Sequence, residues 1–307
     1  MSLSVIFLGT AGSVPTPKRS LPAIALYRKN ELLIFDCGEG IQRQMIQAGV
    51  GFHRKTKIFV THLHGDHILG LPGLLQTMAL LNRERRLEIY GPPGIEAFVD
   101  AIQRTVQYNL TFPFELHEIE DAQVVSKEKE YEVHATWADH VVPSLAYALI
   151  EKPRPGRFSL KKAAALGVPE GPLWSKLQHG SSVQLPNGRV VNSKEIVGPS
   201  RPGRKVVYSG DTRPTDDIAE LARNADLLIH DGTFDDDLKD KAYEDGHSTA
   251  RQAAEIAHRS GAKRLILTHV SARYKNASVL VEQARTIFAK SDVAEDFLKI
   301  DLPLIDS

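Results

Sequence analysis

The chain has 307 residues, 42% hydrophobic and 25% charged, with a formal net charge of zero. That length can fill one large or two ordinary domains, and the composition excludes a disordered or fibrous chain. A single cysteine, Cys37, excludes an internal disulfide and a thiolate-rich metal site, and no run approaches the ~20 apolar residues of a membrane helix.

In chain order, residues 3–8 form a short apolar run that lacks a basic flank and ends in glycines. It predicts a first strand rather than a secretory signal, which makes the cytoplasm the expected compartment. Gly9 to Gly12 carry no dinucleotide fingerprint and predict a turn. Similar β-branched runs at 32–35, 58–61, 206–209, 227–229 and 265–268 each lead into a polar residue or glycine, the pattern of buried strands ending in loops. Apolar residues at three- and four-residue spacing predict helices at 41–48, 71–81, 94–107, 216–223 and 249–260, the last behind the capping types Ser248 and Thr249. Strands alternating with helices predict an α/β layered protein.

Segment 151–204 breaks this rhythm. It is rich in proline, and Pro186-Asn187-Gly188 predicts a hairpin. It holds ten Lys/Arg and three Glu, a formal +7 that leaves −7 on the rest of the chain. It reads as a basic arm inserted in a catalytic domain of residues 1–307.

The densest chemistry is Thr61-His62-Leu63-His64-Gly65-Asp66-His67, four nitrogen and oxygen donors within six residues at a strand end. Imidazole and carboxylate are the non-thiolate ligands of zinc. Donors this close cannot all surround one ion, and the spacing suits two neighbouring metals. The remaining ligands must come from other strand ends, where His140, Asp211 and His269 stand ready. Asp211 has two oxygens with which to bridge both ions.

The order His62-x-His64-x-Asp66-His67, His140, Asp211, His269 resembles the metallo-β-lactamase superfamily. Phe35-Asp36-Cys37-Gly38-Glu39, Tyr208-Ser209-Gly210-Asp211-Thr212, Gly246-His247-Ser248-Thr249 and Ser271-Ala272-Arg273-Tyr274 narrow the resemblance to the short ribonuclease Z family, over nearly the whole chain. The resemblance implies an αβ/βα four-layer sandwich and two Zn2+ per subunit. One ion would take His62, His64 and His140, the other Asp66, His67 and His269, with Asp211 between them. It further implies Asp66 as proton acceptor for the attacking water and His247 as the group that protonates the leaving 3′ oxygen or steadies the phosphate. The substrate would be precursor tRNA, cut 3′ of the discriminator nucleotide. The loop of Lys18 and Arg19 would read the RNA 3′ end, and Arg273 would contact substrate. Gly171-Pro172 in the arm would hold tRNA for the other subunit of a homodimer.

The chain departs from the family pattern twice. His230-Asp231-Gly232-Thr233 replaces His-Glu-Ala-Thr, so the carboxylate expected to orient His247 is one methylene shorter. Arg19-Ser20 replaces Arg-Asn. His53, His117, His134, His179, His230 and His258 read as structural or surface residues, and Trp137 and Trp174 as packing. Two other functions compete with an RNase: hydrolysis of small esters on the same metal set, for which a basic arm has no use, and RNA binding with a degenerate site, which would lose ligands that are all present here.

Overall fold

The computed structural model describes residues 3–304. Residues to Ile150, together with Lys205–Pro303, form one compact unit; Glu151–Arg204 belong to a second.

The first unit is built on two seven-stranded sheets. In spatial order the first runs Lys299–Asp301, Leu3–Gly9, Ala23–Arg28, Glu31–Phe35, Lys55–Phe59, Leu87–Gly91 and Phe114–Glu118. The second runs Ser291–Val293, Leu265–Thr268, Leu227–Asp231, Lys205–Tyr208, Ser144–Glu151, Tyr131–Ala138 and Gln123–Lys127. The central strands are buried on both faces, so the sequence shows continuous apolar runs where a half-exposed strand would alternate. The period of two still sorts their side chains. In Leu3–Gly9, Leu3, Val5 and Phe7 enter the core between the sheets, while Ile6 and Leu8 face the outer layer that holds Ile41, Met45, Leu71 and Leu74. Leu228, Leu265 and Leu267 pack outward from the second sheet against Ala250, Ala253, Ala254 and Ala257 of the helix Ala250–Ser260. Helices thus cover both outer faces, giving the four layers of an αβ/βα sandwich.

The predicted helices form at Ile41–Gln47, Gly70–Leu80, Ile95–Thr105, Asp216–Leu221 and Ala250–Ser260. Thr249 caps the last, its hydroxyl accepting from the Gln252 amide while the Gln252 side chain returns to the Thr249 amide. The expected turn at 9–12 is partly strand: Ala11–Gly12 pairs in parallel with Val270–Ser271, so backbone after the first strand is tied to backbone after His269.

The second unit has its own small core of Ala163, Val168, Leu177, Val183, Leu185, Val191 and Ile196. Trp174 packs beside it, its ring 5.2 Å from that of Phe158. The predicted hairpin pairs Val183–Gln184 with Val190–Val191. Its two ends meet, the Glu151 amide donating to the Arg204 carbonyl at 2.9 Å and the Arg204 guanidinium Nε to Glu151 Oε2 at 2.7 Å. No described helix is long and apolar enough to cross a membrane.

Candidate metal centre and active site

Parallel pairing aligns the carboxyl ends of the central strands, the edge where open α/β sheets place their ligands. Phe35 pairs with Phe59, Tyr208 with Ile229 and Asp231 with Thr268. The residues that follow, Asp36, the run 61–67, Asp211 and His269, are therefore gathered at one rim. Two bonds join the sheets there: the Leu145 amide to the Thr61 carbonyl and the Tyr147 hydroxyl to the Val60 carbonyl, both 2.8 Å.

The seven expected donors converge. His62, His64 and His140 place one ring nitrogen each within 4.8 Å of one another; so do the donors of Asp66, His67 and His269. Asp211 Oδ2 lies 3.7 Å from His62 Nε2, 3.4 Å from His67 Nε2 and 3.2 Å from His269 Nε2, between the two groups.

Proton accounting shows what this arrangement fits. A carboxylate only accepts, so Thr61 Oγ1 donates to Asp36 and accepts from His62 Nδ1 at 2.9 Å. Thr233 Oγ1 donates to Asp231 Oδ1 at 2.6 Å and accepts from His269 Nδ1 at 2.8 Å. His67 Nδ1 donates to Asp36 Oδ2 at 2.8 Å, and His140 Nδ1 to the Gly246 carbonyl at 2.7 Å. Four imidazoles thereby turn a bare Nε2 inward. His64 Nδ1 faces two of them, at 3.1 and 3.3 Å. Lone pairs this close repel unless a cation sits among them. His67 Nε2 and Asp211 Oδ1 are buried without a hydrogen-bond partner. The residues fit two metal ions, with His62, His67, His140 and His269 each oriented by an outer partner.

Without a cation, the buried charges drive neighbouring donors apart. Burial and the neighbouring His67 hold His62 well below the usual histidine pKa. Burial opposes charge on His67 too, but Asp211 and Asp36 outweigh it and raise that residue well above. For Asp66, burial is outweighed by His269 and His67, and its carboxyl falls far below the usual range. Adjacent groups driven in opposite directions mark a functional site.

Asp231 reaches His247 despite the lost methylene, Oδ2 to Nδ1 at 2.8 Å. Burial opposes a charged His247, Asp231 outweighs it, and the pKa is pushed up to about 9. The His247 ring lies 5.1 Å from His140 and 5.0 Å from His269, beside both ligand groups.

Asp36 carries no role in the sequence reading, yet it organises the centre. It accepts from Thr61, His67 and Tyr208, and its backbone is left-handed at φ 59°. Its sequence signals are a carboxylate directly after a buried strand and its place in the Phe35–Glu39 motif, neither of which states a role. His269 is likewise left-handed, at φ 60°. Gly246, at φ +81°, is required where it stands: a Cβ there would fall 2.6 Å from His140 Nδ1.

Other expected contacts lie apart from the ligands. Lys18, Arg19, Tyr274 and Lys275 line a cleft of about 940 Å³. Arg19 is partly committed to the fold, Nη1 donating to Thr10 Oγ1 at 2.7 Å and to the Ala294 carbonyl at 2.5 Å. Arg273 donates to Ser271 Oγ and covers the Phe234 ring at 4.9 Å. Gly171 and Pro172 are exposed at the start of the helix Pro172–Gln178 in the second unit. His117 stacks on Tyr90 and His230 is fully buried.

The comparisons with known proteins come from three directions. Residues 176–270 match the β-lactamase superfamily domain, and residues 3–152 match the model of the anti-Pycsar protein Apyc1. Ribonuclease Z of Methanosarcina acetivorans is 46% identical over 98% of each chain, and that of Natronomonas pharaonis 48% identical over the whole of both. The crystal structure of human tRNase Z, short form, superposes with a TM-score of 0.72 at 31% identity, over 98% of this chain and 99% of that one. YhfI of Bacillus subtilis, a metallo-β-lactamase-fold protein, reaches 0.70 at 18% identity, a likeness of fold alone. The chain belongs to the ribonuclease Z family of the metallo-β-lactamase superfamily.

Proposed function

We propose that this chain is a two-zinc endoribonuclease that matures the 3′ end of precursor tRNA, cutting 3′ of the discriminator nucleotide. The observation that carries this reading is the convergence of seven donors beside the His247–Asp231 pair, in a chain whose relatives are ribonuclease Z. His62, His64 and His140 would hold one ion and Asp66, His67 and His269 the other, with Asp211 shared. When bound, two such ions acidify water and screen charge on the phosphate oxygens.

The chain's own groups manage the protons. Asp66 Oδ2, steadied by the Ser13 amide at 2.8 Å, takes the proton of the attacking water. The water oxygen bonds to phosphorus and the bond to the 3′ oxygen breaks. His247, its Nδ1 fixed on Asp231, delivers a proton from Nε2 to that leaving oxygen. The products are tRNA with a 3′ hydroxyl and a trailer with a 5′ phosphate. The basic unit Glu151–Arg204 would grip tRNA through backbone and shape, Gly171 and Pro172 among its contacts, on behalf of the partner subunit in a homodimer. Lys18, Arg19 and Arg273 would contact RNA nearer the cut.

The test is a 3′-extended precursor tRNA incubated with the protein, with and without chelator, and with His64→Ala. The expected result is one cut beside the discriminator base, lost in both controls. Intact tRNA alongside hydrolysis of bis(p-nitrophenyl) phosphate would instead assign the centre to small esters.

A further inference from the structure

Among the exposed large apolar side chains of the described residues, Tyr243 is the one aromatic, at 68% exposure. Water-facing rings of this size are usually satisfied by packing, and this one is packed on one face only. The Arg213 guanidinium lies 4.8 Å from its ring centre. That guanidinium is itself fixed, Nη1 on Asp139 Oδ1 at 2.9 Å and Nε on the Tyr243 carbonyl at 2.7 Å. The ring is thus backed by a fixed cation while most of the residue stays open to solvent.

Its position is at the active-site rim. Arg213 is two residues past Asp211, and Asp139 precedes His140. The Gly246 amide donates to the Tyr243 carbonyl at 3.3 Å, and the Gly246 carbonyl accepts from His140 Nδ1 at 2.7 Å. The His247 amide donates to the Ala242 carbonyl at 2.7 Å. The ring is therefore mounted on the backbone that holds one ligand histidine and leads into His247.

We propose that Tyr243 is a stacking platform for one nucleobase flanking the scissile phosphate, with Arg213 as its rigid backing. The proposal rests on the RNA-cleaving reading above. A base is the group that fits: it is flat, it stacks on an aromatic face whatever its identity, and single-stranded RNA presents it unpaired. A platform here would fix the sugar–phosphate on one side of the bond to be cut. With the Arg213 guanidinium against it, the polarised ring favours a π-system over an aliphatic partner.

The experiment measures steady-state cleavage of precursor tRNA by wild type, Tyr243→Ala and Tyr243→Phe. It is repeated on substrates in which each base beside the cut is replaced, one at a time, by an abasic residue. Loss of one base–aromatic stack should raise KM for intact RNA about tenfold in Tyr243→Ala, and Tyr243→Phe should restore it. On one abasic substrate, wild type and Tyr243→Ala should become equal, because the partner is already gone. Equal KM values on intact RNA would overturn the proposal. So would a defect that persists on every abasic substrate, which would make Tyr243 a brace for Arg213 only. Failure of the wild type to cut precursor tRNA would remove the functional reading itself, and the platform with it.

Discussion

Four of the five converging histidines are fixed by a group that the sequence does not advertise: a hydroxyl on Thr61 or Thr233, a carboxylate on Asp36, a carbonyl on Gly246. These partners decide which nitrogen is bare, and so whether a metal is bound at all. Asp36→Asn puts an amide donor beside Thr61 and His67, and should weaken metal affinity about 10- to 100-fold against a competing chelator. Asp231→Asn, assayed at saturating metal, should lower kcat on precursor tRNA by about 100-fold, because His247 loses its counter-charge. Removing the metals leaves convergent lone pairs and a buried Asp211 unmatched, so a chelator should lower the thermal midpoint and added zinc restore it. The converging donors were legible because four crowd into six residues and three more stand at strand ends. Asp36 was not, because one aspartate after a strand looks like any other loop carboxylate.

The legible elements were those whose side chains alone reveal burial. Ala23–Arg28, Leu87–Gly91, Tyr131–Ala138 and Ser144–Glu151 form without having been predicted, while six strands and five helices emerge within a few residues of their predicted bounds. The strands Phe114–Glu118 and Gln123–Lys127 do not, since FELHE and QVVSK mix polar and apolar residues at the margins of their sheets. Ladder hydrogen bonds, which leave no trace in hydropathy, hold them. Polar groups do structural work here: Lys57, 5% exposed in a core strand, gives its ammonium to Glu88 Oε2 and Ser126 Oγ at 2.8 Å and to Glu128 Oε1 at 2.9 Å, which clasps one sheet to the other. Burial opposes ionisation of Glu88 and Glu128, but the lysines beside them prevail and depress both pKa values. Depressed carboxylates stabilise the fold above the ordinary glutamate pKa of about 4.3, and that stability drains as pH falls through the lowered values. Lys57→Met should therefore cost about 1–3 kcal/mol in urea unfolding at pH 7, and the deficit against wild type should shrink in acid.

Over the whole molecule, charge and architecture divide at the same residues. The segment 151–204 carries the excess of Lys and Arg, and the compact unit Glu151–Arg204 has the same bounds. Because the ends of that unit are hydrogen-bonded neighbours, a short glycine bridge between Glu151 and Arg204 should replace it without unfolding the sandwich. The resulting variant is expected to lose precursor tRNA cleavage and keep hydrolysis of bis(p-nitrophenyl) phosphate. Its residual RNA affinity should depend less steeply on salt, since the cations that displace counterions are gone. The division was visible in composition; the small core that lets the arm fold as a unit was not, because Val183, Leu185 and Val191 lie scattered among turn residues. The left-handed backbone at Asp36 and His269 has a different reach. Glycine would relax the backbone at each position by roughly 1 kcal/mol. Backbone ease and donor geometry therefore pull in opposite directions at 36 and 269, so a glycine that relaxes the turn also discards the side chain the turn exists to aim.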